Sequence, residues 1–395
     1  MRSYRPFLIG FFLVVIASAP LAQTGVEIFR GERPRFLDIF TEVPTTVNLR
    51  AFETELERTS FLSATVRSWM QYLYFRVLRN PGDKILLGLD GWVFYKPDVR
   101  YLVEPATHTE PLEVIRAFRD QLERRGIRLV VVPVPGKPSV YPDRLSGRAG
   151  HGAAVSHTQQ LIGSLRAAGV ETVDLFDAFA RWRREENAGG TPSLYLLRDT
   201  HWTGTTACRT AGLIAARIRE LGWFTGGSTG YTVRDVSIRR RGDLVRMMDL
   251  PRLERFFPPE DVRCQQVVLS QTGELYKDDP RSPVLVLGDS FLRMYQTDDP
   301  GAAGVIAHLA RELRCPMATI VNDGGASTLV RQQLSRTADL LGGKRVVIWE
   351  FVERDLRYGA EGWQHVALPG DTPRAALTSP GTPAGSSGAS TPSAD

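Results

Sequence analysis

Short apolar runs alternate with helix-like segments through most of the chain after residue 85. The runs are LVVVPV at 129–134, VETVDLF at 170–176, YLLRDTHW at 195–202, VLVLGDS at 284–290, ATIVND at 318–323 and RVVIWEFV at 345–352. Between them, apolar residues recur at helical spacing, which predicts helices over about 109–126, 158–168 and 203–221. Apolar strands that are bounded by turns and separated by helices are typical of a parallel sheet covered on both faces. The sequence therefore predicts an α/β fold with a mostly parallel sheet flanked by helices.

The two ends of the chain differ from this α/β body. Residues 1–22 join a basic start, with Arg2 and Arg5, to an uncharged apolar run, which is typical of a signal peptide or an N-terminal anchor. Both interpretations predict a periplasmic body, and an uncleaved segment would tether it to the inner membrane. Residues 27–84 are predicted to be partly helical, and residues 366–395, rich in Pro, Ser, Thr and Gly, are predicted to be a disordered tail.

Composition and charge exclude some classes of function. The 395 residues are 43% hydrophobic, which suffices for a sizeable core, and they include 49 basic and 44 acidic side chains. IRRRGD is the one run in the sequence that is rich in Lys or Arg, so nucleic-acid binding is not expected. Cys208, Cys264 and Cys315 fit no zinc pattern, although an oxidising compartment would allow one disulfide among them. No cofactor and no metal site is predicted.

Ser290 stands where a reactive group of such a fold is expected, because reactive groups gather at the carboxyl ends of parallel strands. In VLVLGDSF, a predicted strand ends in Gly288, and Asp289 and Ser290 lead into a predicted helix. A serine in such a turn exposes its Oγ, and its own backbone N–H can face a developing oxyanion. The alternative is that Asp289 or Ser290 only caps the next helix.

The segment RDTHW at 198–202 supplies the base that a catalytic serine needs. His201 can remove the hydroxyl proton, and Asp199 can bond the other imidazole nitrogen and stabilise the imidazolium. Three alternatives stay open, namely a helix cap by Asp199 or Thr200, a packed histidine beside Trp202, and a metal site. No second His or Cys lies at ligand spacing in the sequence, which disfavours the metal site.

Six motifs carry a family resemblance over residues 85–358. In order they are LGLDGWVFYKPD, LVVVPVPGKPSVYPDRL, LLRDTHWTGTTA, RRRGDLVRMMDLP, VLVLGDSF and VVIWEFVERDLRY. In this combination the chain resembles the SGNH-hydrolase-like proteins of alginate O-acetylation, of the AlgJ and AlgX type. The resemblance implies an SGNH-like catalytic domain over 85–365, with Asp199, His201 and Ser290 at the family's catalytic positions. A disordered tail in place of a carbohydrate-binding module would make the chain more similar to the shorter AlgJ-like form.

The resemblance also implies a function and its partners. The expected activity is transfer of acetyl groups to an exported polysaccharide, alginate or a related polymer, through an acetyl-serine intermediate. The expected partners are the polysaccharide, a membrane-bound O-acyltransferase that delivers acetyl groups across the membrane, and other exopolysaccharide export proteins. Two alternatives stay open: a polysaccharide O-acetylesterase, which would use the same residues, and a non-catalytic adaptor of an export complex.

Two turns are candidates for oxyanion stabilisation beside the Ser290 N–H. One is the GKPS turn, with Lys137 and Ser139, and the other is the backbone of Gly324 and Gly325 in NDGGAS, which follows a predicted strand. For both turns, ordinary turn chemistry is the alternative interpretation.

Three side chains near the proposed triad are candidates for sugar binding. Trp202 offers an aromatic face, although core packing is at least an equal alternative. Arg293 and Tyr295 follow Ser290 closely and could reach the substrate or lie on the helix surface.

Overall fold

The computed structural model describes residues 5–34, 45–50, 81–104, 109–148, 156–189, 192–248 and 256–370, with five isolated positions between 54 and 77. Most of the predicted N-terminal helical segment at 27–84 lies outside the described residues, as do residues 371–395 of the predicted tail. The first described element is helix α1 (Arg5–Phe29), which contains the apolar run of the predicted signal or anchor. Within the described part of the chain, no helix is both long and apolar enough to cross a membrane.

The described residues form nine strands in three sheets. The strands are β1 (Ile85–Leu87), β2 (Val93–Tyr95), β3 (Arg128–Val134), β4 (Glu171–Thr172), β5 (Tyr231–Arg240), β6 (Glu260–Leu269), β7 (Val284–Gly288), β8 (Ala318–Val321) and β9 (Val346–Val352). Five of them form the central sheet in the order β4-β3-β9-β7-β8, and every neighbouring pair is parallel. β1 and β2 form an antiparallel pair, and so do β5 and β6.

Helices cover both faces of the central sheet. The helices of the α/β body are α2 (Lys96–Val103), α3 (Thr109–Glu123), α4 (Lys137–Val140), α5 (Pro142–Leu145), α6 (His157–Ala167), α7 (Leu175–Asn187), α8 (Gly204–Glu220), α9 (Asp243–Met247), α10 (Ser290–Arg293), α11 (Val305–Leu313), α12 (Leu329–Arg336) and α13 (Asp355–Tyr358), with a 3-10 turn at Ala338–Leu341. The helices α3, α6 and α8 lie close to the bounds that the sequence predicts. The predicted α/β fold, with a mostly parallel sheet flanked by helices, is therefore confirmed.

The central sheet is buried on both faces because its side chains alternate between two apolar clusters. In β7, Val284 and Val286 pack in the cluster that includes α7, α8 and α11, whereas Leu285 and Leu287 pack in the cluster that includes α3, α6 and α12. Every residue of β7 and β9 is buried. This two-sided burial explains why these strands appear in the sequence as unbroken apolar runs.

Two of the predicted runs contribute little to the sheet. In VETVDLF only Glu171–Thr172 pairs with β3, because Asp174 then caps α7 by accepting from the N–H of Phe176 at 3.0 Å. YLLRDTHW adds no strand to the central sheet and instead forms a loop that is closed by an antiparallel bridge between Tyr195 and Trp202. The loop with Asp199 and His201 is therefore shaped by its own bridge and not by a strand end.

Residues 366–370 are packed on the domain, although the sequence places them in the disordered tail. The side chain of Gln121 on α3 donates to the carbonyl of Val366 at 3.1 Å and accepts from the N–H of Leu368 at 2.7 Å. Leu368 is buried in the apolar cluster that includes α3. The packed body therefore extends past the predicted boundary at 365.

Candidate active site

Ser290 lies in a tight turn between β7 and α10. Asp289 caps α10 by accepting a hydrogen bond from the N–H of Phe291 at 2.9 Å. Gly288 allows the turn to approach β9 closely, because a Cβ at this position would collide with the carboxyl group of Glu350. The cap at Asp289, which was one alternative from the sequence, is present, and it fixes the turn that presents Ser290.

His201 faces the hydroxyl group of Ser290. Its Nε2 lies 2.8 Å from Ser290 Oγ, and its Nδ1 lies 2.6 Å from Asp199 Oδ1. Both are hydrogen-bond distances. A proton that Nδ1 donates to Asp199 leaves Nε2 free to accept the serine proton. The two segments that the sequence singled out therefore meet in one hydrogen-bonded chain.

Asp199 is fully buried, and both of its oxygens accept hydrogen bonds. Besides His201 Nδ1, Oδ1 accepts from the backbone N–H of His201 at 3.1 Å, while Oδ2 accepts from Arg240 Nε at 3.0 Å and from the N–H of Asp243 at 3.2 Å. Burial raises the pKa of Asp199, but His201 and Arg240 outweigh burial and hold this pKa below its ordinary value. Asp199 is therefore an anion placed to stabilise a protonated His201.

Asp243 adds a second carboxylate behind His201. It accepts from the N–H of Thr200 at 2.8 Å and from the Thr200 hydroxyl at 2.5 Å, and its Oδ2 lies 3.6 Å from His201 Nδ1. Burial lowers the pKa of His201, but Asp199 and then Asp243 outweigh burial and raise this pKa above its ordinary value. The imidazole is therefore a stronger base than an isolated histidine.

His201 and Ser290 open into a cleft of about 670 Å³. Four arginines line the cleft, namely Arg240, Arg246, Arg293 and Arg354. Ser290 is 8% exposed and His201 is 4% exposed, so the reacting atoms are recessed and reached through the cleft. Such a volume is in the range of small-molecule sites.

Lys137 is buried behind the loop that carries Asp199. Its Nζ donates to the carbonyls of Val93 and Leu197, both at 2.7 Å, and to the carbonyl of Asp199 at 3.1 Å. Burial lowers the pKa of Lys137 to about 7, against the raising effect of nearby carboxylates. Lys137 therefore ties β2 to this loop, and its position does not fit the predicted role in oxyanion stabilisation.

Ser139 is also buried away from the cleft. Its hydroxyl donates to the carboxyl of Glu353, which also accepts from the N–H of Gly136 at 2.6 Å. Glu353 follows β9 directly, so these bonds hold the GKPS turn to the carboxyl end of the middle strand of the sheet. For this turn the alternative of ordinary turn chemistry fits the structure.

The N–H groups of Ser290 and Gly324 remain candidates for oxyanion donors. Ser290 begins α10, and Gly324 lines the cleft with a φ of +66°. Neither N–H group donates a hydrogen bond within the part of the chain that the structure describes. The N–H of Gly325, by contrast, donates to the carbonyl of Asn322 at 3.0 Å. Gly324 therefore remains a candidate, whereas the donor of Gly325 is already used.

Trp202 and Tyr295 are core residues. Trp202 is 0% exposed and packs edge-on against Phe291, with 4.9 Å between the ring centroids. Tyr295 is equally buried, and its hydroxyl donates to the carbonyl of Trp202 at 3.1 Å. Since neither ring presents a face to the cleft, core packing describes both better than the predicted contact with a sugar.

Arg293 does reach the cleft. Its Nε donates to Asp323 Oδ1 at 2.9 Å, and its guanidinium also pairs with Asp298. Two carboxylates therefore hold the side chain in place, and a contact with substrate stays a prediction.

Among the described residues, Asp199, His201 and Asp243 are close enough to be considered as ligands of one metal ion. However, His201 Nδ1 and Asp199 Oδ1 are only 2.6 Å apart, and Asp199 already pairs with Arg240. Tetrahedral zinc, for example, lies about 2.0–2.2 Å from each ligand, and its bond angles keep two ligand atoms more than about 3 Å apart. A metal bound to both atoms would therefore have to push them apart. The cluster fits an imidazole that is oriented and stabilised by hydrogen-bonded carboxylates better than a metal centre.

Arg240 and Asp243 also belong to the candidate site, although no sequence pattern assigned either residue to it. They lie 41 and 44 residues after Asp199, in the motif RRRGDLVRMMDLP. Gly242 lets this segment approach, because a Cβ there would collide with the carbonyl of Arg198. The signals in the sequence were a Gly-Asp pair within an arginine-rich segment and the place of this segment among the six family motifs.

Known proteins share the fold of this chain and part of its sequence. The AlgJ protein of Azotobacter vinelandii, described as a probable alginate O-acetylase, is 26% identical over 290 residues, which is 70% of each chain. The solved O-acetyltransferase domain of Pseudomonas putida AlgJ matches with a TM-score of 0.55 and 23% identity, covering 69% of this chain and 91% of that one. The solved AlgX of Pseudomonas aeruginosa matches with a TM-score of 0.52 and 20% identity, covering 68% of this chain and 62% of that one. The two solved structures show that the fold is shared.

A family profile, described as the SGNH hydrolase-like domain of acetyltransferase AlgX, matches residues 85–353. The match begins at β1, ends just after β9 and includes the hydrogen-bonded chain of Asp199, His201 and Ser290. The family that the six motifs indicate is thereby confirmed. This chain belongs to the AlgX-type family of SGNH hydrolase-like acetyltransferase domains.

Proposed function

We propose that this protein is an O-acetyltransferase that acetylates an exported polysaccharide, alginate or a related polymer, through an acetyl-serine intermediate. The observation that supports this most directly is the hydrogen-bonded chain from Asp199 through His201 to Ser290, which ends in an open cleft. Family membership supports the reaction class, and the relative from Azotobacter vinelandii is named as a probable alginate O-acetylase.

In the first half-reaction, His201 acts as a general base. Its Nε2 takes the proton from Ser290 Oγ while Oγ attacks the carbonyl carbon of an acetyl ester on the donor. The N–H groups of Ser290 and Gly324 stabilise the oxyanion, and Asp199 stabilises the imidazolium. The bond between the acetyl carbon and the donor oxygen then breaks, and the donor oxygen leaves with the proton from His201.

The second half-reaction uses the same groups with the sugar. A sugar hydroxyl gives its proton to His201 Nε2 and attacks the carbonyl of the acetyl-serine. The bond from the acetyl carbon to Ser290 Oγ breaks, and Oγ recovers the proton from His201. Water in place of the sugar would release acetate, so transfer requires a sugar that is bound in the cleft when the acetyl-serine reacts.

The cellular location and the acetyl donor are part of the same proposal. The predicted signal or anchor at residues 1–22 supports a periplasmic domain, and a retained segment would hold this domain at the inner membrane. The periplasm contains no acetyl-CoA, so the donor we propose is a membrane-bound O-acyltransferase that delivers acetyl groups across the membrane. Other polysaccharide export proteins would be its neighbours.

A comparison of the reaction products with and without an acceptor sugar tests this function. The full-length protein is supplied with a chromogenic acetyl ester, with and without alginate oligosaccharides, and the products are identified by mass spectrometry. We expect acetylated oligosaccharide that is absent with Ser290→Ala. Acetate as the sole product would indicate an O-acetylesterase instead, and the absence of turnover would indicate a non-catalytic adaptor.

A further inference from the structure

Asp355 is a buried carboxyl group at the wall of the cleft. It is the first residue of α13, its exposed fraction is 2%, and it lines the same cleft as His201 and Ser290. Its Oδ2 is buried and has no hydrogen-bond partner among the described residues. Buried polar atoms in folded proteins are almost always hydrogen-bonded, so this oxygen requires an explanation.

The local structure does not provide that explanation. The N-cap of α13 is Arg354, and Trp363 Nε1 donates to the backbone carbonyl of Asp355 at 3.0 Å, not to its carboxyl group. Arg354 directs its Nη1 to Asp98 Oδ1 at 3.0 Å. The bonds that shape this segment therefore leave Oδ2 of Asp355 unused.

The ionisation of Asp355 is compatible with a neutral ligand that carries hydroxyl groups. Burial and then the charge of Asp289 raise the pKa of Asp355 to about 7, while Arg354 opposes them and Asp98 reinforces them. The carboxyl group of Asp355 therefore takes up a proton more readily than that of an ordinary aspartate. The ionised form accepts hydrogen bonds and the protonated form can also donate one, so either form can pair with a hydroxyl group.

We propose that Asp355 binds a hydroxyl group of the acceptor sugar and so holds the sugar in the cleft near Ser290. The inference rests on the proposed transferase function, in which the sugar is the second substrate. Oδ2 has almost no accessible surface, so a rotation of the carboxyl group about its Cβ–Cγ bond would accompany sugar binding and give this oxygen the hydroxyl partner that it lacks in the described structure. Tyr95 and Tyr358 line the cleft together with Asp355, and aromatic rings suit the apolar faces of sugars.

The acceptor dependence of transfer tests this role. Alginate oligosaccharides serve as the probe, and transfer is measured with the wild type, Asp355→Ala, Asp355→Asn and the matched control Asp177→Asn. Asp177 lies exposed in the first turn of α7 and does not line the cleft. We expect the acceptor KM to rise about tenfold in Asp355→Ala, which is the loss of one hydrogen bond, and to rise less in Asp355→Asn, which keeps polar atoms at the same place.

Hydrolysis of the chromogenic ester without acceptor distinguishes a role of Asp355 in sugar binding from a role in the structure of the site. The rise in acceptor KM should exceed any change in hydrolysis, since hydrolysis needs no sugar. Equal losses in both reactions, or an acceptor KM within about twofold of the wild type in both variants, would overturn the role of Asp355 and leave water as the partner of Oδ2. If Asp355→Ala does not fold, the near-isosteric Asp355→Asn still provides the comparison.

The outcome also distinguishes this inference from the proposed function. A wild type that hydrolyses the ester but acetylates no oligosaccharide contradicts the transferase function, and the role of Asp355 with it. A wild type that transfers acetyl groups while both variants keep its acceptor KM contradicts only the role of Asp355.

Discussion

The structure contains two clefts of nearly equal volume and very different chemistry. The cleft at Ser290 measures about 670 Å³, and a second cleft, between α8 and the β5–β6 pair, measures about 650 Å³. Cys208 and Arg209 line the second cleft, so a thiol and a cation are present there. Volume and residue type alone therefore do not separate the two clefts.

The hydrogen bonds separate them. In the second cleft, Arg209 Nη2 donates to Glu185 at 2.6 Å, and burial raises the pKa of the Cys208 thiol, which disfavours the thiolate. At the first cleft, Nε2 of His201, the proposed base, lies 2.8 Å from Oγ of Ser290, the proposed nucleophile. What distinguishes the first cleft is therefore a hydroxyl group that is hydrogen-bonded to an imidazole, and not its volume.

Replacement of the nucleophile should separate the two clefts most strongly. Ser290→Ala removes Oγ, so we expect the turnover of a chromogenic acetyl ester to fall by roughly a thousandfold or more. Steady-state kinetics measure the loss, and Ser164→Ala on an exposed position of α6 is the matched control. Turnover of Ser290→Ala above about a tenth of the wild-type value would place the chemistry outside this cleft.

The buried carboxylate should have the next largest effect. Asp199→Asn cannot stabilise the imidazolium and favours the wrong tautomer of His201, so we expect kcat to fall by roughly a thousandfold. Thermal unfolding is the control, because Arg240 loses its ion-pair partner in this variant. A fall in kcat of less than about tenfold would show that the action of His201 as a base does not depend on the charge of Asp199.

The second carboxylate should have a smaller effect that changes with pH. Asp243→Asn removes a charge 3.6 Å from His201 Nδ1 and keeps the side-chain shape that holds Thr200. Because Asp243 helps to raise the pKa of His201, its loss lowers this pKa. The base is then protonated only at lower pH, so the acid limb of the pH–rate profile shifts to lower pH, and kcat/KM on the plateau falls about tenfold. An unchanged acid limb would contradict the electrostatic role of Asp243.

Substitutions in the second cleft should have the smallest effect. Cys208→Ser and Arg209→Gln leave the chain of Asp199, His201 and Ser290 untouched, so we expect ester turnover within about twofold of the wild type. The same kinetic assay measures both variants. A loss of about a hundredfold in either variant, with an unchanged melting temperature, would mean that the second cleft takes part in the reaction.

The proposed triad could be predicted from the sequence because its signals are local. The glycine after a predicted strand places Ser290 in a turn, and the spacing of Asp199 and His201 brings a carboxylate to an imidazole nitrogen. The alternation of strands and helices then implies a parallel sheet, whose carboxyl edge holds Ser290. The first two inferences need no contact between distant elements, whereas the sheet and the contact between His201 and Ser290 do.

The rest of the site depends on contacts that the sequence does not show. Lys137 and Trp202 stand beside strand ends and reactive residues, yet their side chains point into the core, and adjacency in the sequence does not reveal this direction. Arg240 and Asp243 join the site because the segment after β5 folds back onto the loop with Asp199. Asp355 stands out only once its burial and its unused Oδ2 are known.

The central claim is that Ser290 Oγ carries the acetyl group from donor to sugar. Peptide mass spectrometry of the protein, after reaction with a chromogenic acetyl ester and before any acceptor is added, tests it most directly. We expect one acetyl group on the peptide that contains Ser290, its absence in Ser290→Ala and His201→Ala, and its loss when alginate oligosaccharides are added. An acetyl group on another residue, or acetylation of the sugar without any adduct on Ser290, would contradict the account.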